Sequence, residues 1–389
     1  GNTPLHAAVG AGQLPCVQLL LSHGADADAT SNAGTKPFRS AVHMGDAAMV
    51  DAFVLAGAEL DEHTAQAAFW VAVQRLEAAA DGEPLPTEVP ALLQHVFAAD
   101  MQQLLQREKQ VQNVTCLQPA VEGTGNNVID DALASTPLTS TRGRVCDGGC
   151  CTDTCSRVVF PTFATDEEVE AFRTELKHAM TEPFHQFSLS KCAFRDARTT
   201  LLFVRFVERM RRAIAHEYGL ELSSVLPGQA FVARFDGEQD QQGGLHSDES
   251  THREFHYSCV FYMASQHDEF EGGTLFFSDA APEDGQAQSA ERSTAPGAAP
   301  SVERVLSPLS PSRGMAIIFS SGWENMHVVE PLASGTRIAV PAFFTTQHPE
   351  GLDLTPDVDA LWGRFLAPAS AEDVRQFMFS WHELCAPGR

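Results

Sequence analysis

A 33-residue period runs through the first 60 residues of the 389-residue chain. Pro4, Leu5 and Ala8 recur as Pro37, Phe38 and Ala41, and Gly12, Val17, Leu20 and Gly24 recur as Gly45, Val50, Phe53 and Gly57. Such a period restricts the fold sharply. Each copy is one supersecondary unit, and it buries its apolar face only against the next. In the first copy, Thr3-Pro4 suits the opening of a helix, small Ala residues let paired helices approach closely, and Gly24 suits the end of the second helix. The expectation is a stack of helical hairpins. Two copies fall short of the roughly three that a free-standing stack needs. Further repeats before Gly1, or docking on neighbouring helices, are therefore expected.

The segment "TPLHAAVGAGQLPCVQLLLSHGADAD" resembles an ankyrin repeat nearly residue for residue. The resemblance implies an N-terminal α-solenoid over residues 1–80, with His6 hydrogen-bonding between repeats. The second copy has Arg39 where His6 stood. Residues 62–80 read as one more helix, a cap. Residues 81–156 read as a helical segment up to about 110, followed by a linker rich in Thr, Ser, Gly, Asn and Cys. Within it "CDGGCCTDTC" clusters Cys146, Cys150, Cys151 and Cys155, a candidate disulfide clip or, with no His nearby, a poorer candidate zinc site.

After residue 157 two amphipathic helices are expected, and then the character changes. "QAFVARFD", "FHYSCVFYMA", "GTLFFSD", "GMAIIFSS", "MHVVEPL" and "TRIAVPAFFTT" are short β-rich runs divided by Gly, Pro and acidic turns, the pattern of an all-β sandwich or barrel. Residues 280–311 read as a low-complexity loop inserted among them, and 351–389 as a helical tail. The formal charge of −25 argues against a nucleic-acid partner. No apolar run approaches the ~20 residues that cross a bilayer.

Two residues in these runs demand partners. His327 and Arg337 sit on adjacent apolar strands, where both are costly to bury alone. Upstream, "GGLHSDES" holds His246 and Asp248, two residues apart and so on one face of a strand. A His and a carboxylate so placed can grip one metal ion, and a second His completes a facial triad with three open positions, the non-heme Fe(II) arrangement. The spacing by itself is not distinctive, because His252/Glu254 and His267/Glu269 share it. The first pair differs in following a Gly-Gly turn after a β run and in being followed by the rest of the pattern.

That pattern is an ordered series: "ARFDGE", "LHSD", "YSCVFYM", "EGGTLFF", "GMAIIF" and "ENMHVVEPLASGTRIAV". Residues from about Gln229 to Thr346 resemble the catalytic core of the prolyl hydroxylase family of Fe(II)/2-oxoglutarate dioxygenases. "FSSGWENMHVV" looks closest to its leprecan-type prolyl 3-hydroxylases. The resemblance implies a double-stranded β-helix (jelly-roll) domain over 157–350, with flanking helices. It implies His246, Asp248 and His327 as iron ligands, and Arg337, with Tyr262, as the holder of the distal carboxylate of 2-oxoglutarate. A guanidinium suits that role because it pairs bidentately and keeps its charge. It implies Fe(II), 2-oxoglutarate and O2, with ascorbate as reductant, succinate and CO2 as products, and a peptidyl proline as substrate. The family often has Tyr where this chain has Phe235, which puts cosubstrate affinity in question. A protein or peptide substrate recruited by the ankyrin repeats is expected. The competing readings are an inactive ankyrin/jelly-roll scaffold and a dioxygenase acting on a small molecule. Ankyrin repeats favour cytosol or nucleus; the leprecan-like segment and the cysteine cluster favour the secretory pathway.

Overall fold

A computed structural model of the protein describes residues 1–58, 60–78, 88–115, 154–179, 197–237, 244–251, 255–280 and 304–346. They form two compact units. The first holds the described residues within Gly1–Gln106 and Ser190–Arg209, the second those within Arg107–Leu189 and Met210–Leu352.

The first unit contains α1 (Pro4–Gly10), α2 (Leu14–Ser22), α3 (Pro37–Met44), α4 (Ala47–Leu55), α5 (Glu62–Ala78) and α6 (Glu88–Gln106). Pro sits in the first turn of α1, α2 and α3, where its missing N–H would have had no helical partner. Thr3 caps α1 in a reciprocal box with His6: Thr3 N–H donates to His6 Nδ1 at 3.2 Å, and Thr3 Oγ1 accepts from His6 N–H at 3.4 Å. With Nδ1 accepting, Nε2 carries the proton and donates to the Thr35 carbonyl at 2.8 Å, which ties the first repeat to the second. The second repeat lacks this device. Lys36 precedes α3 without a capping bond and pairs instead with Asp28 at 2.9 Å. The two helices of that repeat meet through Phe38 stacked on Phe53 at 5.1 Å.

Two more helices follow in the chain, α7 (Asp166–Ala179) and α8 (Ala197–Glu217). The N-terminal part of α8 belongs to the first unit. There Arg205 makes two bonds of 2.7 Å to the buried Asp100 of α6, and Arg209 adds a third at 3.0 Å.

The second unit is built on eleven strands: β1 (Gln110–Thr115), β2 (Thr154–Phe160), β3 (Leu226–Ala230), β4 (Ala233–Asp236), β5 (Tyr257–Tyr262), β6 (Phe270–Gly272), β7 (Leu275–Ala280), β8 (Arg304–Leu309), β9 (Ala316–Ser320), β10 (His327–Val329) and β11 (Leu332–Thr345). The large sheet runs β1-β2-β9-β5-β11-β3, with β4 and β6 also paired to β11; the small sheet runs β10-β7-β8. Every pairing between these strands is antiparallel. Alternation sends Val159, Ile317, Phe319, Tyr262 and Ala339 of the large sheet to one core, where they meet Leu275 and Phe277 of the small sheet. Phe277 contacts Phe319 edge to face at 5.3 Å across the two layers. This is the expected jelly-roll layout.

Two stretches differ from the sequence reading. The expected linker contributes β1 and the start of β2, which runs on to Phe160. β1, "QVQNVT", is an outer strand whose only apolar residues point opposite ways, Val111 outward and Val114 inward, so its periodicity is faint. The expected loop 280–311 is shorter, because Arg304–Leu309 pair with β7 as the outer strand β8, which tolerates Pro308. Cys146, Cys150, Cys151 and the expected C-terminal helices lie outside the described residues; the backbone of Cys155 pairs with Val114.

Candidate metal centre

His246 and His327 lie in different parts of the chain and are joined by a short antiparallel bridge. His246 N–H donates to the His327 carbonyl at 3.0 Å, and His327 N–H to the His246 carbonyl at 2.8 Å. Their rings come within 4.6 Å, centroid to centroid. Asp248 follows at the start of a short helical turn, α9 (Asp248–Thr251), rather than on a strand with His246 as the spacing suggested. It still turns to the same side. Asp248 Oδ1 stands 3.7 Å from His246 Nε2 and 3.8 Å from His327 Nε2, and one atom from each residue fits within 4.8 Å of the other two. No other such group of three His, Cys, Asp or Glu occurs among the described residues.

The atoms behind this trio fix which donors are free. His246 Nδ1 donates to the Gly244 carbonyl at 2.8 Å, and His327 Nδ1 to the Asn325 carbonyl at 2.9 Å. Each imidazole therefore keeps its proton on the outer nitrogen and turns a bare Nε2 inward, the arrangement metal-binding histidines use. Burial pushes the His327 imidazole below its ordinary pKa; Asp248 pulls the other way, and His246 adds to the lowering. Ser258 Oγ donates to Asp248 Oδ2 at 2.6 Å and lies 2.7 Å from Ser321 Oγ. With Oδ2 occupied, Oδ1 is the oxygen left to bind, so the carboxylate offers one donor. Two neutral nitrogens and one carboxylate oxygen, all turned inward and none otherwise engaged, fit a divalent iron or a similar cation.

β5 links this trio to the second expected site. Ser258, Val260 and Tyr262 share its inward face, so Tyr262 lies about 13 Å of strand from Ser258 at the usual rise. Tyr262 is opposite Ala339 on β11, and Arg337, two residues earlier, shares that face. Burial pushes the Tyr262 phenol up to about 12, so it stays a neutral donor; the Arg337 charge opposes the rise. Burial lowers the Arg337 guanidinium from its ordinary value, and Tyr262 opposes the shift. Arg337 has no carboxylate partner among the described residues, and its buried Nε has no hydrogen-bond partner. It rests over the Phe235 ring at 4.7 Å. Phe235, where the resemblance leads one to expect a tyrosine, thus covers the guanidinium. Gly272 and Gly273 close the turn beside it, both at positive φ. A Cβ at Gly272 would fall 2.2 Å from the Pro331 carbonyl oxygen, and one at Gly273 would press on Phe270, Leu332 and Arg337.

The structure thus brings His246, Asp248 and His327 together, and Arg337 with Tyr262. The sequence reading passed over Ser258 and Asn325, each an ordinary polar residue in or beside a strand. The only signal was that Ser258 is a polar residue inside a largely apolar strand; Asn325 sits in a polar turn and gave none.

Comparison with known proteins agrees with this layout. Residues 1–32 match the ankyrin-repeat family model, and residues 230–345 match that of the 2OG-Fe(II) oxygenase superfamily. The human protein named 2-oxoglutarate and iron-dependent oxygenase domain-containing protein 3 is 26% identical over 152 residues, 38% of this chain and 40% of that one. The protein of the same name from Xenopus tropicalis is 27% identical over 143 residues, 35% of this chain and 38% of that one. The matched region spans about two fifths of these relatives. Among solved structures, a Pseudomonas putida prolyl-4-hydroxylase is 17% identical, covering 49% of this chain and 88% of that one, with a TM-score of 0.34. The viral collagen prolyl hydroxylase of Paramecium Bursaria Chlorella virus-1, in its 2OG complex, is 14% identical, covering 49% and 96%, with a TM-score of 0.33.

Proposed function

We propose, on the premise that the chain carries an ankyrin repeat and a 2OG-Fe(II) oxygenase domain, that it is a protein hydroxylase using Fe(II), 2-oxoglutarate and O2. The target is a peptidyl proline, the products from the cosubstrate are succinate and CO2, and ascorbate keeps the enzyme reduced. The observation that carries the reading is the convergence of His246 Nε2, Asp248 Oδ1 and His327 Nε2 with every outer atom already hydrogen-bonded. Bound there, ferrous iron would supply the redox chemistry that couples decarboxylation of 2-oxoglutarate to hydroxylation.

The protein's own residues then have separate tasks. The two neutral imidazoles and the single carboxylate oxygen of Asp248 hold the metal. Arg337 supplies the fixed positive charge for the far carboxylate of 2-oxoglutarate, with Tyr262 O–H donating beside it. Phe235 keeps water off one face of that guanidinium. Phe277 and Phe319 wall the His327 side with apolar surface, at 5.8 and 5.4 Å from its ring.

Proline as target rests on the ordered motifs between Gln229 and Thr346. A protein rather than a small-molecule substrate is favoured by the ankyrin unit, which exposes Leu19, Met44 and Leu55 to a partner. With Fe(II), ascorbate and a panel of proline peptides, succinate should form only when 2-oxoglutarate is supplied, and mass spectrometry should find one added oxygen on proline. Succinate without a modified residue in any peptide would sink the proline assignment. No succinate under any condition would leave the inactive scaffold. Changing Leu19, Met44 and Leu55 together to Glu should slow turnover of a protein substrate but not of its short peptide; equal loss for both would mean the unit is only structural.

A further inference from the structure

Arg157 is a buried cation that the reaction as described does not use. It is 1% exposed and lies on the inward face of β2, opposite Phe319. Its guanidinium sits 3.8 Å above the Phe277 ring, and Phe277 is the register partner of His327. Nε donates to Asn325 Oδ1 at 2.6 Å; Nη1 donates to Asp279 Oδ2 at 3.1 Å, and Nη2 to Asp279 Oδ1. The other end of the Asn325 amide donates to the Ser320 carbonyl at 3.0 Å and to Ser320 Oγ at 2.9 Å. Asn325 is thus clamped at both ends of its side chain, and its own carbonyl receives His327 Nδ1–H.

The clamp spans three parts of the jelly roll. Arg157 comes from the large sheet, Asp279 from β7 of the small sheet, and Asn325 from the turn that leads into β10. Burying an Arg costs several kcal/mol unless it is well paired; here Asp279 takes Nη1 and Nη2, and Nε holds the side chain of Asn325, the residue whose backbone carbonyl receives the His327 imidazole. We propose that Arg157 is a positioning residue: by holding Asn325 between the sheets, it sets the tilt and tautomer of His327 and so the metal affinity of the site. The proposal rests on the reading of His246, Asp248 and His327 as a metal centre.

A plain electrostatic role makes the opposite forecast. The Arg157 charge helps lower the His327 pKa and would repel a cation, so removing it alone would tighten metal binding. A neutral double change separates the two effects. Arg157→Met with Asp279→Leu deletes one positive and one negative charge and replaces the pair with apolar groups, a kind of exchange often neutral for stability. Asn325→Ala leaves the Arg157–Asp279 pair intact and removes only the clamp.

The experiment measures Co(II) binding to the whole chain by calorimetry and by visible absorption, with the metal-free melting temperature recorded for each variant. Wild type should bind one Co(II), and His246→Ala should lose it. If wild type binds none, or His246→Ala binds as well, the metal-centre reading itself fails. Given that binding, the double variant and Asn325→Ala should each weaken Co(II) affinity about 10- to 100-fold, the range found for groups behind metal ligands, and alter the Co(II) spectrum. Arg157→Lys, which keeps charge but cannot reach both partners, should fall between. A folded variant of either kind with wild-type affinity and spectrum overturns the proposal, as does tighter binding.

Discussion

Asp248→Ala and His327→Ala should each reduce 2-oxoglutarate-dependent succinate formation to background while leaving the fold intact. Each substitution removes one of three donors that no neighbouring residue duplicates, since no other such cluster exists among the described residues. The fold should survive because the partners left behind stay satisfied. Without Asp248, the Ser258 hydroxyl keeps its bond to Ser321. His327 would lose the carboxylate that favours its charged form, leaving burial to hold it neutral, and it keeps the Asn325 carbonyl on Nδ1. Ser258→Ala should give a graded result. Oδ2 of Asp248 would lose a charge-assisted hydrogen bond worth about 1.5–3 kcal/mol. The freed carboxylate would bind metal less selectively through one oxygen, and metal affinity should fall about 10- to 100-fold. Circular dichroism and a melting curve report the fold, and succinate release reports the site. Wild-type-like turnover by either Ala variant would defeat the ligand assignment.

The parts of this site that the sequence revealed are those whose chemistry is written in residue type and order. A His-x-Asp after a Gly-Gly turn, a His leading a strand and an Arg ten residues later are rare inside apolar runs, because each costs energy there without a partner. What stayed hidden were residues whose roles arise only from packing. Ser258 reads as a polar interruption of a strand until β5 places it against Asp248. Arg157 lies where the Cys- and Thr-rich composition masks β2, and nothing in its neighbours along the chain marks a charge that crosses between two sheets. β1 and β8 were missed because outer strands bury one face only and carry few apolar residues, leaving little alternation to detect. In the first unit the helices followed the 33-residue period, whereas the Asp100–Arg205–Arg209 cluster joins segments about a hundred residues apart, and no local pattern foretells it.

Arg337→Ala should raise the 2-oxoglutarate requirement about 30-fold or more, with a smaller change in turnover at saturation. Truncating one partner of a buried charge pair costs about 2–5 kcal/mol, and each 1.4 kcal/mol is roughly tenfold in affinity. The effect on stability should run the other way. Within the protein Arg337 has no carboxylate partner among the described residues, and its Nε is buried without a hydrogen bond. Among the described residues, the guanidinium is held by Phe235 and the nearby Tyr262 phenol. Removing it relieves a desolvated charge, so the melting temperature without cosubstrate should hold steady or rise. The wild-type protein loaded with metal should gain stability as 2-oxoglutarate is added, because a ligand that binds only the folded state stabilises it. That gain should vanish in the Ala variant and return in part with Arg337→Lys, which restores a charge but not the two-pronged geometry. Tyr262→Phe should raise the requirement less, since it removes one donor and no charge. An unchanged 2-oxoglutarate requirement in Arg337→Ala, with the thermal shift intact, would mean that a different cation holds the far carboxylate and that this guanidinium is buried for another reason.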